Sequence, residues 1–562
     1  MKKKTIVSIL AVLLALALFA GCGGTGGSTN TPAPAGTAAP AKTAAPAATA
    51  APAGTAAPAN TAAPAETKPA KDKVLRIAIT SVMTGLDVTH GQGSTQMLEQ
   101  ANMLETLTVL DKDFTVLPCL ATSWERTGEK TWVFHLREGV LFHDGTPLNA
   151  SAVKWCLDEK SKYVDTYASY THIESIDLID DMTLQFNTSD PTSELANVLA
   201  SQIGTIMAPS SFKADGTFDR PIGTGCFKYE DFDVSASILT AAYFDQYWGG
   251  DPGSSVGKRV IISIPDASTR SLAAINGEVD IMMDAPFAEL ANLEQDSNLS
   301  VSKYTTTRTY YLEQNIRKEY LQDVRVRRAL LYAVDRETIL NELLMGVGGV
   351  PQGILDPSMP WANTDVDPYA YDPAKAMALL DEAGIKDNDG NGWREYNGKD
   401  LELVLLTMNF RPGCPLILQA MQQYYEDIGL KCVTKIVENS TVTQIRNDNE
   451  YDLNLSSASA TYVPTASYYL SSLYWSESSN PKLIGYKNEK LDELYLQCLA
   501  EDDLQKKYEL AKEAQALAQE DAVFTTMMLY GAVFINSAKV TGFDYSPAVH
   551  DFIVPKSTDL RD

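Results

Sequence analysis

Apolar and polar positions divide the chain into three unlike stretches. Lys2, Lys3 and Lys4 precede an apolar run from Ile6 to Phe19, which ends in Ala20, Gly21 and Cys22. A basic start, a short apolar core and small residues at its end make the layout of a secretory signal. The run falls short of the roughly 20 residues that a membrane span needs. Residues 23–72 then lose all apolar periodicity and are almost entirely Gly, Ser, Thr, Ala and Pro, with Thr-Ala-Ala-Pro-Ala restarting at Thr37, Thr43, Thr49, Thr55 and Thr61. Such a segment cannot bury a core and predicts an extended tether, reaching beyond about 100 Å if it is polyproline-like.

From Lys73 onward, strand and helix patterns alternate. Val74 to Ile79 opens with a β-rich run, and Trp132 to Leu136 alternates its faces. Val260 to Ile264 is apolar throughout and stops at Pro265, as a buried strand does. A helix is expected from Ser151, with Val153, Trp155 and Leu157 on it. Asp372 caps a second, with Pro373 at its first position, Met377, Leu379 and Leu380 on one face, and Gly384 at its end. Leu401 to Leu406 predicts a strand, Ile417 to Ile428 a helix stopped by Gly429, and Leu504 to Gln519 an amphipathic helix. This alternation implies an α/β fold, and residues 73–562 are too many for one core.

Charge and reactive residues narrow the chemistry. The net charge of −26 argues against a nucleic-acid partner, which needs a basic footprint, and against adhesion to anionic lipid. Cys119, Cys156, Cys226, Cys414, Cys432 and Cys498 are far apart and form no CxxC, so free and mostly buried thiols are expected, although their even number leaves bridges open. The 5 histidines make no zinc-binding pair. Neither a hydrolase nucleophile motif nor HExxH is read in the chain. Ser151–Lys154 and Ser210–Lys213 fit SxxK, but no KTG accompanies them. No enzyme, cofactor or metal is expected. Asp387-Asn388-Asp389-Gly390-Asn391-Gly392 has the start of a calcium loop, but Gly398 stands where the bidentate glutamate belongs, so an Asx-rich turn is expected.

Ordered motifs point to a family. Leu117-Pro118 to Trp124-Glu125, Phe134-His135-Leu136-Arg137-Glu138-Gly139 to Asp144-Gly145-Thr146-Pro147, Pro221 to Gly225, Tyr247 to Gly250, Asn276 to Asp280, Val324 to Leu330 and Tyr371 to Ala376 come in sequence. Together they resemble the bacterial extracellular solute-binding proteins of family 5, the dipeptide, oligopeptide and nickel-binding group. Ala20-Gly21-Cys22 is similar to a bacterial lipobox, which implies lipidation at Cys22. The resemblance implies a two-lobed periplasmic-binding-protein-like fold with an extra domain and a hinge. Expected boundaries are 1–21 for the signal, 22–72 for the lipid-anchored linker, 73–112, 222–306 and 537–562 for the first lobe, 113–221 for its extra domain and 307–536 for the second lobe. Hinge strands are expected near Thr305–Tyr311 and Val533–Lys539. The implied partners are a small ligand or peptide, an ABC permease and the membrane through the lipid; a monomer is expected. The alternatives are a sensor lipoprotein, or a binder of a metal chelate or glycoside.

The resemblance also yields ligand candidates. Phe410-Arg411-Pro412 is similar to the segment whose arginine holds a peptide carboxylate, which suits a bidentate guanidinium. Dipeptide-binding members hold the α-amine with an aspartate where this chain has Ala460. Ser457, Ser459, Thr461 and Tyr462 surround that position and offer neutral hydrogen bonds. Thr89 and His90, in a loop that borders the cleft in the family, complete the candidates. Ile203 to Met207 lacks the arginines of nickel-binding members, which disfavours a metal chelate. Phe134, Trp124 and Trp248 are expected in cores, and Arg325, Arg327 and Arg328 on a solvated helix face.

Overall fold

A computed structural model describes residues 70–562 except 83–84, 91–94, 165–166 and 550–551. The expected signal at 1–21, the lipidation site Cys22 and the tether up to 69 lie outside the described residues. No helix among the described residues is long and apolar enough to cross a membrane.

The fold is α/β and two-lobed. It is organised by one ten-stranded sheet. Its two longest strands, Leu299–Gln314 and Phe524–Ser537, lie at its middle and pair antiparallel. Ser300–Thr305 pairs with Gly531–Asn536 beside the strand Ile281–Met283, while Thr309–Glu313 pairs with Phe524–Leu529 beside Leu453–Ser459. Each long strand therefore serves both halves of the sheet. Their ladder breaks register between Thr305 and Thr309, opposite Gly531 and Leu529. Bulges of this kind bend a strand and raise its local twist.

On one side of the break, Lys73–Ile79 runs parallel to both Val256–Ser263 and Ile281–Met283, with helix Ala267–Ile275 as the crossover. On the other, Glu402–Met408 runs parallel to both Lys431–Val437 and Leu453–Ser459, connected through helices Gly413–Asp427 and Asn439–Asn447. A separate antiparallel sheet of Ala121–Gly128, Thr131–Leu136, Thr183–Thr188 and Ile173–Asp180 packs helix Ala150–Tyr163 and has its own core around Phe134, Phe142 and Phe186. A helical layer over Leu504–Asp521 packs a further core around Tyr474, Tyr495 and Phe524.

Local signals set these elements. Asn149, Asp372 and Asp503 accept backbone N–H groups at the starts of their helices, satisfying donors that the first turn leaves open. Gly384 and Gly429 end helices at φ +81° and +86°, a conformation glycine adopts at little cost. Phe134 is in a core as expected; Trp124 and Trp248 are partly buried against one. The expectation for Arg327 is corrected. It is buried, and its guanidinium donates to the carbonyls of Leu321, Gln322 and Asp521. Arg325 does pair at the surface, with Asp323. Among the described residues the six cysteines are free thiols, five of them buried.

The Pro221–Gly225 motif is held by a histidine. His143 Nδ1 accepts from the Gly223 amide at 3.1 Å and its Nε2 faces the Gly225 carbonyl at 3.0 Å. Gly223 and Gly225 press against the Met103 and Asn102 carbonyls, leaving no room for a Cβ. Burial pushes the His143 imidazole down to about 4, against the raising effect of the Gly225 carbonyl. A depressed histidine stabilises the fold fully above its unfolded value of about 6.5 and loses that contribution as pH falls toward 4. NMR titration is expected to show His143 uncharged at pH 5.5; a midpoint near 6.5 would contradict this.

Candidate functional site

A cavity of about 270 Å³ opens beside the loop that follows strand Leu453–Ser459. One wall is first-lobe backbone and side chains from Glu99 to Leu110 with Ala200–Gln202. The facing wall is Thr461, Tyr462 and Pro464, and Ser546, Ala548, Val549, Ile553 and Lys556 line the third side. A smaller space adjoins it at Val549, lined by Thr306, Thr307, Arg308, Ser459 and Tyr530 at the register break.

The expected ligand residues separate into groups. Thr461 and Tyr462 line the cavity, and Ser459 lines the adjoining space. Their loop is tied to the strand break, because the Thr307 and Thr461 hydroxyls lie 2.7 Å apart. Thr461 also donates to Val549 O at 3.4 Å and Thr307 to Pro547 O at 3.3 Å. Ser457 is half-buried, paired with Tyr310 in the sheet, and lines neither space. Arg411 lies two residues before the helix Gly413–Asp427, and its guanidinium lies 5.7 Å from the Tyr530 ring centre. Arg308, which sequence motifs do not single out, approaches the same ring at 5.9 Å. Two guanidiniums thus meet one phenol, whose hydroxyl donates to Asp284 at 2.8 Å.

Thr89 and His90 are occupied elsewhere. Asp87 accepts from the Thr89 amide and hydroxyl and from the His90 amide, and its Oδ2 lies 2.6 Å from His90 Nδ1. The imidazole packs edge-on against Tyr163 and Phe212. Neither residue is among those lining the cavity.

Sequence motifs also miss the cavity's charges. Glu105 is buried, and its carboxylate accepts from Thr224, Tyr247, Trp248 and Lys556 at 2.6–2.9 Å. Burial alone would lower the Lys556 ammonium, but Glu105 and Tyr247 override it and hold it above the usual lysine range. Glu99, on the short helix Thr95–Gln100, faces the same cavity. Burial pushes its carboxyl up to about 8, against the attraction of Lys160 and a hydrogen bond with Gln202. Lys160 itself is buried, donating to the carbonyls of Ile203 and Thr205. No motif signals these residues, because each becomes a site residue only through long-range packing.

Two other features carry no chemistry here. Gly253-Ser254-Ser255-Val256-Gly257 does have the spacing of a hydrolase nucleophile, contrary to the expectation above. However, Ser255 enters a strand rather than a helix and its hydroxyl donates to Asp559 at 2.5 Å, which is not the strand–turn–helix context such a serine needs. Asp387, Asp389 and Glu395 bring carboxylate oxygens within 4.8 Å of one another at the surface. Asp387 accepts the Gly390 and Gly392 amides and Asp389 that of Asn391, as in an Asx-rich turn.

The fold is shared with known proteins. The chain is 28% identical to the dipeptide-binding protein of Escherichia coli K12 over 441 residues, covering 72% of this chain and 79% of that protein. It is 26% identical to the glutathione-binding protein GsiB of Shigella dysenteriae serotype 1, covering 85% and 93%. The structure of NikA from Brucella suis in complex with Fe(III)-EDTA superposes with a TM-score of 0.77 at 23% identity, covering 86% of this chain and 99% of that one. Residues 115–480 match the model of the bacterial extracellular solute-binding proteins, family 5 Middle. The chain therefore belongs to the bacterial extracellular solute-binding proteins of family 5.

Proposed function

We propose that this protein is the ligand-capturing component of an ABC importer, and that its lobes close on a peptide or a peptide-like carboxylate. The observation that carries this reading is the cavity between the Glu99–Leu110 and Ala200–Gln202 side and Thr461, Tyr462 and Pro464, closed further by Ser546, Ala548, Val549, Ile553 and Lys556, and adjoining Arg308, whose guanidinium shares the Tyr530 ring with that of Arg411. A cavity whose lining is mostly apolar, with polar and charged groups at a few positions, suits a ligand that is largely buried on binding. Two guanidiniums on one phenol suit a carboxylate, which accepts two parallel N–H donors. The relatives named for dipeptides and glutathione bind solutes of this class. The register break at Thr305–Thr309 and Leu529–Gly531 is the hinge. Binding and release by hinge closure then replace catalysis.

Delivery follows from the chain's beginning. Cys22, lipidated after removal of 1–21, anchors the protein to the outer face of the membrane. The Thr-Ala-Ala-Pro-Ala tether lets the monomeric folded part reach a permease. Two acyl chains supply the stable anchoring that one chain does not.

Thermal-shift measurement on the full-length protein tests the ligand class. A di- or tripeptide at about 100 times its Kd is expected to stabilise it by about 2.7 kcal/mol. Arg411→Ala is expected to weaken binding about 10- to 100-fold, the scale of a lost charged hydrogen bond. Stabilisation by sugars or nickel chelates alone would overturn the peptide reading.

A further inference from the structure

The cavity wall formed by Thr461, Tyr462 and Pro464 carries no acid, and Ala460 beside it is buried. The neighbouring hydroxyls are already engaged. Thr461 bonds Thr307 and Val549, and Ser459 lies 3.3 Å from Thr461. An ammonium group entering the cavity finds no anion on that side.

Two carboxyls face it from the opposite wall. Glu105 is already saturated by Lys556, Tyr247, Trp248 and Thr224. Glu99 remains. The nearest cation to it, Lys160 on helix Ala150–Tyr163, directs its ammonium to Ile203 O, Thr205 O and the Thr205 hydroxyl. Gln202 and Tyr462 are the other groups in electrostatic or hydrogen-bonding reach of Glu99, and Glu105 and Lys556 lie along the same cavity.

We propose that Glu99 receives the ligand's amine, so that the first lobe supplies the cation site that the second lobe lacks at Ala460. This rests on the peptide reading of the cleft. The ligand is then zwitterionic, its ammonium on Glu99 and its carboxylate toward Arg308 and Arg411. The two ends bind opposite lobes, and the ligand itself bridges the closure.

A proton accompanies this capture. A carboxyl held at about 8 by burial is mostly protonated in the empty protein at pH 7. Contact with an ammonium favours its ionised form, so about one proton leaves per ligand bound. Affinity therefore rises from pH 6 toward pH 8.

The test equilibrates full-length protein with a pool of tripeptides bearing free amino termini, and separately with the same pool N-acetylated. Native mass spectrometry identifies the bound members and calorimetry measures their affinity in two buffers of different ionisation enthalpy. Acetylation is expected to weaken binding at least tenfold, with proton release at pH 7 from the free peptides. Glu99→Gln is expected to abolish both the preference and the proton release. The acetylation arm uses the unaltered protein, so it decides the matter even if the variant folds poorly. Equal binding of both pools, or a preference and proton release unchanged in a folded Glu99→Gln, overturns the Glu99 assignment and leaves the peptide reading standing. Binding of neither pool overturns the peptide reading and the assignment with it.

Discussion

Glu194→Ala is expected to weaken ligand binding roughly a hundredfold while leaving the thermal stability of the ligand-free protein almost unchanged. Glu194 belongs to the domain built on the four-stranded sheet, where Leu195, Ala196 and Val198 are core residues. Its own side chain, 4% exposed, reaches across to the second lobe. One oxygen accepts the Ala466 amide at 3.0 Å and the other accepts the Ser467 hydroxyl. Lys507, equally buried, places its ammonium 3.6 Å from the first oxygen and donates to the Ser193 hydroxyl. Ser193 adds bonds to the carbonyls of Leu499 and Glu501, and Asn197 one to Pro464. These contacts fasten the rim of the cavity just beyond Thr461–Pro464.

Removing one partner of a buried charged pair costs about 3–5 kcal/mol, because the other charge stays desolvated. When the lobes are apart, Lys507, Ser467 and the Ala466 amide regain water. The penalty then falls on closure, and about 2.7 kcal/mol corresponds to a hundredfold in affinity. Calorimetric Kd and a melting curve without ligand separate the two effects. A large fall in melting temperature with affinity intact would show that the contact props a single unit and does not latch two.

Much of the scaffold is legible in sequence because its signals are local. The caps at Asp372 and Asp503, the stops at Gly384 and Gly429, and the apolar strand before Pro265 need only a few neighbouring residues to be read. The long strand Leu299–Gln314 is different. Its first half is half-buried and polar, LSVSKYT, and its second half is fully buried, so it shows no single period from end to end. Its role in both halves of the sheet depends on Phe524–Ser537, two hundred residues away. Arg308 sits in that strand and carries no motif.

Buried arginines mislead for a related reason. Arg327 reads as a surface charge, yet it is buried and donates to backbone carbonyls, and so do Arg259, Arg270, Arg336 and Arg394. A guanidinium offers five donors in a fixed fork, enough to satisfy loop carbonyls that water does not reach. The same limit hid Glu99 and Glu105. An acid on a short helix and an acid in a two-residue strand show nothing until packing brings both to one cavity, where Lys556, from the far end of the chain, pairs with Glu105.

Arg446→Met is expected to destabilise the second lobe by about 3–5 kcal/mol, among the largest losses any single exposed-looking residue can cause here. Arg446 lies near the end of helix Asn439–Asn447 and pairs with Glu313 at 2.5 Å. Glu313 is completely buried in the long strand Leu299–Gln314, where Tyr451 donates to its other oxygen. Without the guanidinium, the carboxylate keeps only a phenol. Glu313→Gln in the wild-type background leaves Arg446 partly buried but able to use Asn480, which accepts from it at 2.9 Å, so its cost is smaller. The double variant, Glu313→Gln with Arg446→Met, removes both charges and is expected to recover most of the loss, since a buried pair replaced as a unit is often near neutral. Urea unfolding of the two single variants and the double variant reads this directly. Losses that simply add would show that Glu313 and Arg446 act separately. Recovery in the double variant would show that the strand carrying the hinge is pinned to its lobe by one ion pair, and that each partner is retained because the other is buried.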